Sequence, residues 1–492
     1  MIDHQQRIEK ANQAIQRAKK KIVNTKHRQK YHFMPPANWM NDPNGLIQYN
    51  GIYHLFYQHN PYDATWGSMH WGHAVSKDFL NWKHLPIALA PSEPYDDDPE
   101  GGCFSGTAIV NDNKMHLFYT GTIIKNGKMI QTQCLATSTD FVHFEKHPKN
   151  PIIELDVEGA DSSNFRDPKV WFAEETGEYY MIVGTSINGK GNVLLYKSMD
   201  LLEWECLGPL VDYDENLGSM WECPDIFSLE DKYILLFSPM HLDEKTTLYM
   251  TGEMDYQSGK FIYDKIGQID YGFDFYAPQT LLDENGRRLM IGWQNGWEWM
   301  PWWQGFGPTS EEGWCGSMSI PRELQLDENG YLTFTPIKEL SELGNNLITQ
   351  VNRKISNEKV KLAENLPPNF EAHFEFDCLK NPVKIIIENH QGNSLVLKLS
   401  KESLEFDRSK ADSYHSGSCT MPINTNNKGI KIFADTSSIE IFSLDGYSVL
   451  TSNVYFETGK RNILISCREE VELTKFRVDE LKLNLEVGEL DG

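Results

Sequence analysis

Trp39-Met40-Asn41-Asp42-Pro43-Asn44-Gly45-Leu46-Ile47-Gln48-Tyr49-Asn50-Gly51-Ile52-Tyr53-His54-Leu55-Phe56-Tyr57 joins an acidic, turn-like motif to a short strand-like core; a motif followed by such a core returns four more times, with an acid in two of them. The five cores are His54-Leu55-Phe56-Tyr57, His116-Leu117-Phe118-Tyr119, Tyr180-Met181-Ile182-Val183, Ile234-Leu235-Leu236-Phe237 and Leu289-Met290-Ile291-Gly292, spaced by 62, 64, 54 and 55 residues. Asp42, Ser105, Asp167, Glu222 and Gln279 precede their cores by 12, 11, 13, 12 and 10 residues. A second echo, Ser76-Lys77-Asp78-Phe79, Ser138-Thr139-Asp140-Phe141 and Ser198-Met199-Asp200-Leu201, keeps the same period. Long repeats of short strands, nearly free of helix signals, are the mark of propeller blades. Five repeats predict five blades, with loops taking up the excess over a typical four-stranded blade; a β-sandwich with accidental self-similarity is the alternative.

A chain of 492 residues is too long for one ordinary core, so at least two modules are expected. Residues 1–30 carry nine Lys or Arg against Asp3 and Glu9, a net of +7 in a chain of net −24, which leaves −31 for the remainder. Ile8, Ala11, Ile15, Ala18 and Ile22 fall on one stripe of an amphipathic helix, expected to lie on the acidic body of the protein. The repeats occupy 31–338, and a polar stretch of mixed periodicity over 339–359 reads as a linker. Short alternating strands at 370–376, 383–388, 395–399, 430–433, 439–442 and 462–467 then predict a β-sandwich over 360–492. The fold class is therefore all-β: a five-bladed β-propeller followed by a C-terminal β-sandwich, with a short N-terminal helix.

The net charge of −24 disfavours nucleic acid as a partner. No run of about 18 apolar residues is present to span a membrane. The N-terminus has no apolar stretch ahead of a cleavage-like site, which points to a cytoplasmic protein. Eight scattered cysteines without a Cys-x-x-Cys pair suit free thiols better than disulfides or zinc. His54 and His116 sit inside strand cores and read as packed residues, not ligands.

Taken singly, the acids have ordinary readings. Asp42-Pro43-Asn44-Gly45 is a good turn sequence, and Asp167 could pair with Arg166 or cap the chain before Pro168. Glu222 stands between Trp221 and Cys223, an apolar setting costly for a carboxylate and one that raises a pKa, as a general acid requires. These readings weaken together, because three unrelated turns have no reason to share one phase of a repeat. Folded about an axis, that phase brings three acids to one place, and two acids flanking a sugar bond are the minimum equipment of a glycosidase.

The ordered motifs 39–45, 53–58, Trp71-Gly72-His73, Phe104-Ser105-Gly106, 165–169, 221–225 and Phe275-Tyr276-Ala277-Pro278-Gln279 resemble those of family 32 of the glycoside hydrolases, the invertase, fructanase and sucrose-6-phosphate hydrolase group. A weaker match runs through Asp435-Thr436-Ser437-Ser438-Ile439-Glu440-Ile441-Phe442. The resemblance implies a five-bladed propeller followed by a β-sandwich. It implies that Asp42 is the nucleophile at the anomeric carbon of a β-fructofuranosyl unit, that Glu222 is the acid and then the base, and that Asp167 holds two fructose hydroxyls. Such an enzyme retains configuration, with the Asp42 and Glu222 carboxyls about 5–5.5 Å apart. It further implies a sugar pocket of Asn41, Gln58, Trp66, Phe104, Ser105, Tyr276 and Trp293. Arg166 is expected to keep Asp167 ionised and also to border Glu222, and Cys223 to tune Glu222. No metal and no cofactor are implied.

The expected partner is a small sugar, namely sucrose, sucrose 6-phosphate or a short fructo-oligosaccharide, and a homodimer stays open. An exo-acting fructan hydrolase or a fructosyltransferase of the same family are the near alternatives. An inverting arabinan-type hydrolase, with acids about 6.5–9.5 Å apart, or a non-catalytic propeller lectin, are the distant ones. Residues 297–308, with Trp297, Trp299, Trp302 and Trp303, read either as a leaving-group subsite at the pocket mouth or as a rigid structural loop.

Overall fold

The computed structural model describes residues 3–23, 25–213, 216–301, 303, 305–356, 359–457 and 459–482. Five sheets arise from consecutive stretches of chain, each led by one inner strand: Asn38–Tyr49, Gly102–Asn111, Ala160–Ala173, Met220–Leu229 and Tyr276–Leu282. Each inner strand touches the next, and the fifth returns to the first, so the sheets close into a five-bladed propeller.

The strand cores explain the closure. In the second strand of each blade, alternate side chains point to opposite faces, and both faces are covered by a neighbouring blade. Leu117 and Tyr119 pack towards blade 1 with Phe56 and Trp71, whereas Phe118 packs towards blade 3 with Phe165 and Val183. Ile182 and Leu235 likewise meet between blades 3 and 4. Burial on both faces is why these cores read as continuous apolar runs.

The Ser-x-Asp echo is a repeated outer turn. Asp78, Asp140 and Asp200 each accept a hydrogen bond from the serine two residues earlier and from the next two free backbone N–H groups. The residue after each aspartate has φ of 62–68°. A short strand, Trp314–Cys315, leaves blade 5 and pairs in parallel with Asn38 and Trp39, clasping the last blade to the first.

The N-terminal helix spans His4–Lys19. It buries Ile8, Ala11 and Ile15 against Ile87 and Ala90 of blade 1. Asn12 and His4 accept hydrogen bonds from the backbone N–H groups of Ile87 and Ala90, and Arg7 pairs with Asp97 at 2.8 Å.

The expected linker over 339–359 requires correction. Lys338–Leu343 is a short 3-10 helix, and Gly344–Ile355 is an edge strand paired with Val471–Leu481. Its side chains are mostly wet on both faces, so it lacks the alternation of a half-buried strand; residues 357 and 358 lie outside the described residues. The second module is two six-stranded sheets enclosing the alternating apolar positions of strands such as Phe370–Phe376 and Val383–Asn389. Residues 483–492 of the expected sandwich lie outside the described residues.

Candidate active site

Every inner strand breaks register at one level. The pairing slips between Met40 and Pro43, Phe104 and Gly106, Arg166 and Lys169, Glu222 and Asp225, and Tyr276 and Gln279. Bulges insert unpaired residues and re-aim side chains, and proline, having no N–H to lose, is tolerated there. Asp167, Cys223 and Ala277, each followed by proline, have φ of 66°, 46° and 52°. The motif around Asp42, legible as a turn, is thus a bulge within a strand. Glycine is required beside one of them: a Cβ on Gly106 would collide with the Phe118 carbonyl.

The bulges bring the three acids into one hydrogen-bonded group. Ser105 Oγ donates to Asp42 Oδ2 at 2.7 Å, and Cys223 Sγ lies 3.3 Å from the same oxygen and 3.5 Å from Asp167 Oδ2. The Cys223 backbone N–H donates to Asp167 Oδ2 at 2.9 Å. Arg166 grips Glu222 Oε1 through Nε at 3.0 Å and Nη2 at 2.8 Å, and Tyr276 OH donates to Glu222 Oε2 at 2.6 Å. Asp42 Oδ1 is buried with no hydrogen-bond partner among the described residues.

Three expectations change at this point. Arg166 borders Glu222 as expected, but it lies 4.0 Å from Asp167 and does not hold that carboxyl ionised against its burial. Cys223 faces Asp42 and Asp167 instead of tuning Glu222. Trp221 does not wall the acid: its ring stacks on Phe237 at 3.9 Å in the core between blades, leaving Arg166 and Tyr276 as the neighbours of Glu222. The cause is common to all three, since successive residues at a bulge do not follow the strand's simple alternation.

Burial pushes Asp42 up to about 6, against the charge-favouring donors Ser105 and Cys223. Burial pushes Asp167 up to about 7, and the opposing Arg166 charge does not overcome it. Arg166 is itself raised despite its burial, by Glu222 and Asp167. Burial holds the Cys223 thiol and the Tyr276 phenol well above their usual values, so both remain donors. Crowded carboxyls with one guanidinium share their protons, and their titration belongs to the group.

Aromatic rings border the acids. Trp66, Phe104, Tyr276 and Trp293 belong to one cluster with Trp39, Trp297, Trp299 and Trp303. Trp297 stacks on Trp299 at 5.5 Å, and Trp299 meets Tyr276 edge-on at 6.2 Å, so the 297–308 segment borders the site; Trp302 lies outside the described residues. Asn41 accepts from the Trp39 indole at 2.7 Å, and Gln58 donates to the Cys103 carbonyl at 3.1 Å. Gln279, the fifth residue of the phase, instead ties blade 5 to blade 2 by donating to the Gly106 carbonyl at 2.7 Å. Below it, Lys169 pairs with Asp225 at 2.9 Å, a contact that sequence reading missed. Among the described residues no group of three or more His, Cys, Asp or Glu could hold a metal ion.

The chain matches the model of the glycosyl hydrolases family 32 N-terminal domain over residues 32–336 and of the family 32 C-terminal domain over 339–480. A sucrose-6-phosphate hydrolase of Escherichia coli is 37% identical over 93% of this chain and 95% of its own length. A Bombyx mori GH32 beta-fructofuranosidase is 33% identical, with a TM-score of 0.83 over 96% of this chain and 98% of that one. The structure of a sucrose-6-phosphate hydrolase from Lactobacillus gasseri, 25% identical, gives a TM-score of 0.84 over 96% of both chains. With both halves of the molecule matched in order, the chain belongs to glycosyl hydrolase family 32 and is a glycoside hydrolase.

Proposed function

We propose that the protein is a retaining β-fructofuranosidase that cleaves the terminal fructosyl unit of sucrose or sucrose 6-phosphate. The observation that carries this reading is the convergence of Asp42, Asp167 and Glu222 in one hydrogen-bonded group, with Ser105 and Cys223 holding Asp42 and with Arg166 and Tyr276 orienting Glu222.

Asp42 attacks the anomeric carbon of fructose through a carboxylate oxygen. The bond from that carbon to the bridging oxygen breaks, its electron pair stays on the oxygen, and the Glu222 proton moves there. The Glu222 carboxylate then takes a proton from water, whose oxygen attacks the same carbon and frees Asp42. Asp167 holds fructose hydroxyls, with bonds that strengthen as positive charge develops on the ring. The sugar pocket is Asn41, Gln58, Trp66, Phe104, Ser105, Arg166, Cys223, Tyr276 and Trp293, amides and hydroxyls for ring oxygens and aromatic faces for C–H patches. The relatives include both sucrose-6-phosphate hydrolases and a beta-fructofuranosidase, which supports this substrate pair.

The test compares Asp42→Ala and Glu222→Ala with the wild type on sucrose, sucrose 6-phosphate, 1-kestose and inulin. Each variant should lose at least about a thousandfold in kcat, and proton NMR on the wild type should show β-fructofuranose as the first product. Near-normal turnover in either variant, or α-fructose released first, overturns the reading. A tenfold preference for the phosphorylated sugar, about 1.4 kcal/mol, marks a dedicated sucrose-6-phosphate hydrolase; preference for inulin marks an exo-acting fructanase.

A further inference from the structure

Blade 2 carries two buried glutamines that the mechanism above does not use. Gln131 and Gln133 are 1% and 0% exposed on the third strand of that blade, Lys128–Ser138. Residues two apart on a strand point the same way, here towards the inner strand of blade 3, where the Phe165-Arg166-Asp167 bulge begins.

Their hydrogen bonds hold Phe165, the residue that leads into that bulge, and reach Arg166 directly and Asp167 through Thr120. Gln131 Oε1 accepts from the Phe165 backbone N–H at 2.9 Å and from Arg166 Nη1 at 3.3 Å. Gln133 Nε2 donates to the Phe165 carbonyl at 2.9 Å, and Gln133 Oε1 accepts from the Thr120 hydroxyl at 2.9 Å. That single hydroxyl hydrogen is thereby committed to Gln133, which leaves a Thr120 lone pair to accept the Asp167 backbone N–H at 3.0 Å. Asp167 sits at φ 66°, a conformation a non-glycine residue holds only when its surroundings impose it. Its own blade leaves Asp167 without a ladder partner at the bulge, so blade 2 supplies the constraint.

The consequences differ for the two glutamines. Arg166 is held on its outer edge by Gln131, together with the Ser163 carbonyl and Asn164 Oδ1, each at 3.3 Å, while its inner edge grips Glu222. Gln133 acts through Thr120 on the backbone of Asp167. We propose that Gln131 and Gln133 are positioning residues of the reaction: Gln131 sets the acid Glu222 through Arg166, and Gln133 sets the sugar-holding Asp167 through Thr120. The proposal rests on the fructosidase reading given above and assigns blade 2 a part in the chemistry of blades 3 and 4.

The two roles separate by leaving group. Sucrose needs its leaving oxygen protonated, whereas β-D-fructofuranosyl fluoride departs without help from an acid. Methionine matches glutamine in length and removes the polar atoms, and Glu at 131 keeps an acceptor for Phe165 N–H and Arg166. The experiment measures kcat/KM of wild type, Gln131→Met, Gln131→Glu and Gln133→Met on both substrates, with Tm for each. Gln131→Met should fall by roughly tenfold or more on sucrose and less than about threefold on the fluoride, with Gln131→Glu recovering part of the sucrose loss. Gln133→Met should fall by similar factors on both substrates, because Asp167 serves the fructosyl unit whatever leaves it.

Unchanged kinetics in both methionine variants, or losses that are parallel on both substrates for both and track the fall in Tm, overturn the proposal. If Gln131→Met does not fold, Gln131→Glu decides: losses on it that are parallel on the two substrates overturn the acid role. A wild type that hydrolyses neither substrate sinks the fructosidase reading itself, an outcome distinct from failure of the positioning roles.

Discussion

Asp42 owes its character to burial, which raises it to about 6 while Ser105 and Cys223 hold its charged form. Attack requires the carboxylate, so kcat/KM on sucrose should fall on the acid side as the Asp42–Asp167 group takes up protons, between about 7 and about 6. Ser105→Ala removes a donor to the charged form. A hydrogen bond to a charged group is worth roughly 1.5–3 kcal/mol, so the acid limb should move up by about one to two pH units; a pH profile with its acid limb unmoved counts against the role given to Ser105. The same displacement has a sign in stability. A carboxyl whose folded value lies above its unfolded 3.8 contributes fully below 3.8 and loses that contribution as pH climbs through about 6. At pH 8 the ionised Asp42 therefore weakens the fold, and Asp42→Asn should melt higher than wild type there, with the difference closing towards pH 4. Equal Tm values at pH 8 would contradict the linkage. The residues of this group were legible, since Asp42, Ser105, Asp167 and Glu222 share a phase of the repeat. That Arg166 borders Glu222 was legible too, but that Trp221 turns away from the acids and that Cys223 faces two aspartates were not: both follow from bulges, set by pairing with a strand further along the chain.

Among the elements, the N-terminal helix shows what periodicity can and cannot deliver. Of the expected stripe, Ile8, Ala11 and Ile15 form the buried face, whereas Ala18 is half-buried and Ile22 lies beyond the end of the helix. The task of that face was hidden, because the helix packs on the end of Lys83–Leu89, the outermost strand of blade 1, whose free edge there would otherwise present unpaired N–H groups. Asn12 and His4 satisfy two such groups around that strand end, at Ile87 and Ala90. Removing residues 1–20 should leave kcat/KM on sucrose within about twofold of the full chain, since no described catalytic contact involves the helix. It should also lower Tm by a few degrees, at roughly one kcal/mol per degree for a chain of this length, and cause concentration-dependent association visible in light scattering. A truncated chain that is equally stable and monodisperse would show that the helix protects nothing. The edge strand Gly344–Ile355 marks the opposite limit: wet on both sides, it has no periodic signal to read.

The whole molecule is held by a polar seam between propeller and sandwich. Arg322 of blade 5 is fully buried and donates to Asp270 at 2.7 Å, Thr451 at 2.8 Å and Glu440 at 3.2 Å, while Arg408 of the sandwich pairs with Asp274 at 2.8 Å. The motif from Asp435 to Glu440 was visible in the sequence but had no evident purpose there. Its two acids clasp His32, ahead of blade 1, through Nδ1 at 2.8 Å and Nε2 at 3.2 Å. Burial disfavours charge on this ring, yet Asp435 and Glu440 outweigh it and raise His32 to about 9; Arg322 shares Glu440, and the Tyr31 ring lies 4.5 Å away. A histidine raised above its usual 6.5 stabilises fully below that pH and loses the contribution as pH rises through about 9. At about 1.4 kcal/mol for each pH unit between those two values, the seam should weaken by something like 3 kcal/mol between pH 6.5 and 9.5. His32→Gln keeps a polar side chain and removes the titration. Relative to wild type it should be distinctly less stable in urea at pH 6.5 and nearly equal at pH 9.5, with the catalytic constants on sucrose at pH 7 little changed while both proteins are folded. If the two proteins differed by the same amount at both pH values, the protonated His32 clasp would have to be abandoned as what ties the sandwich to the propeller.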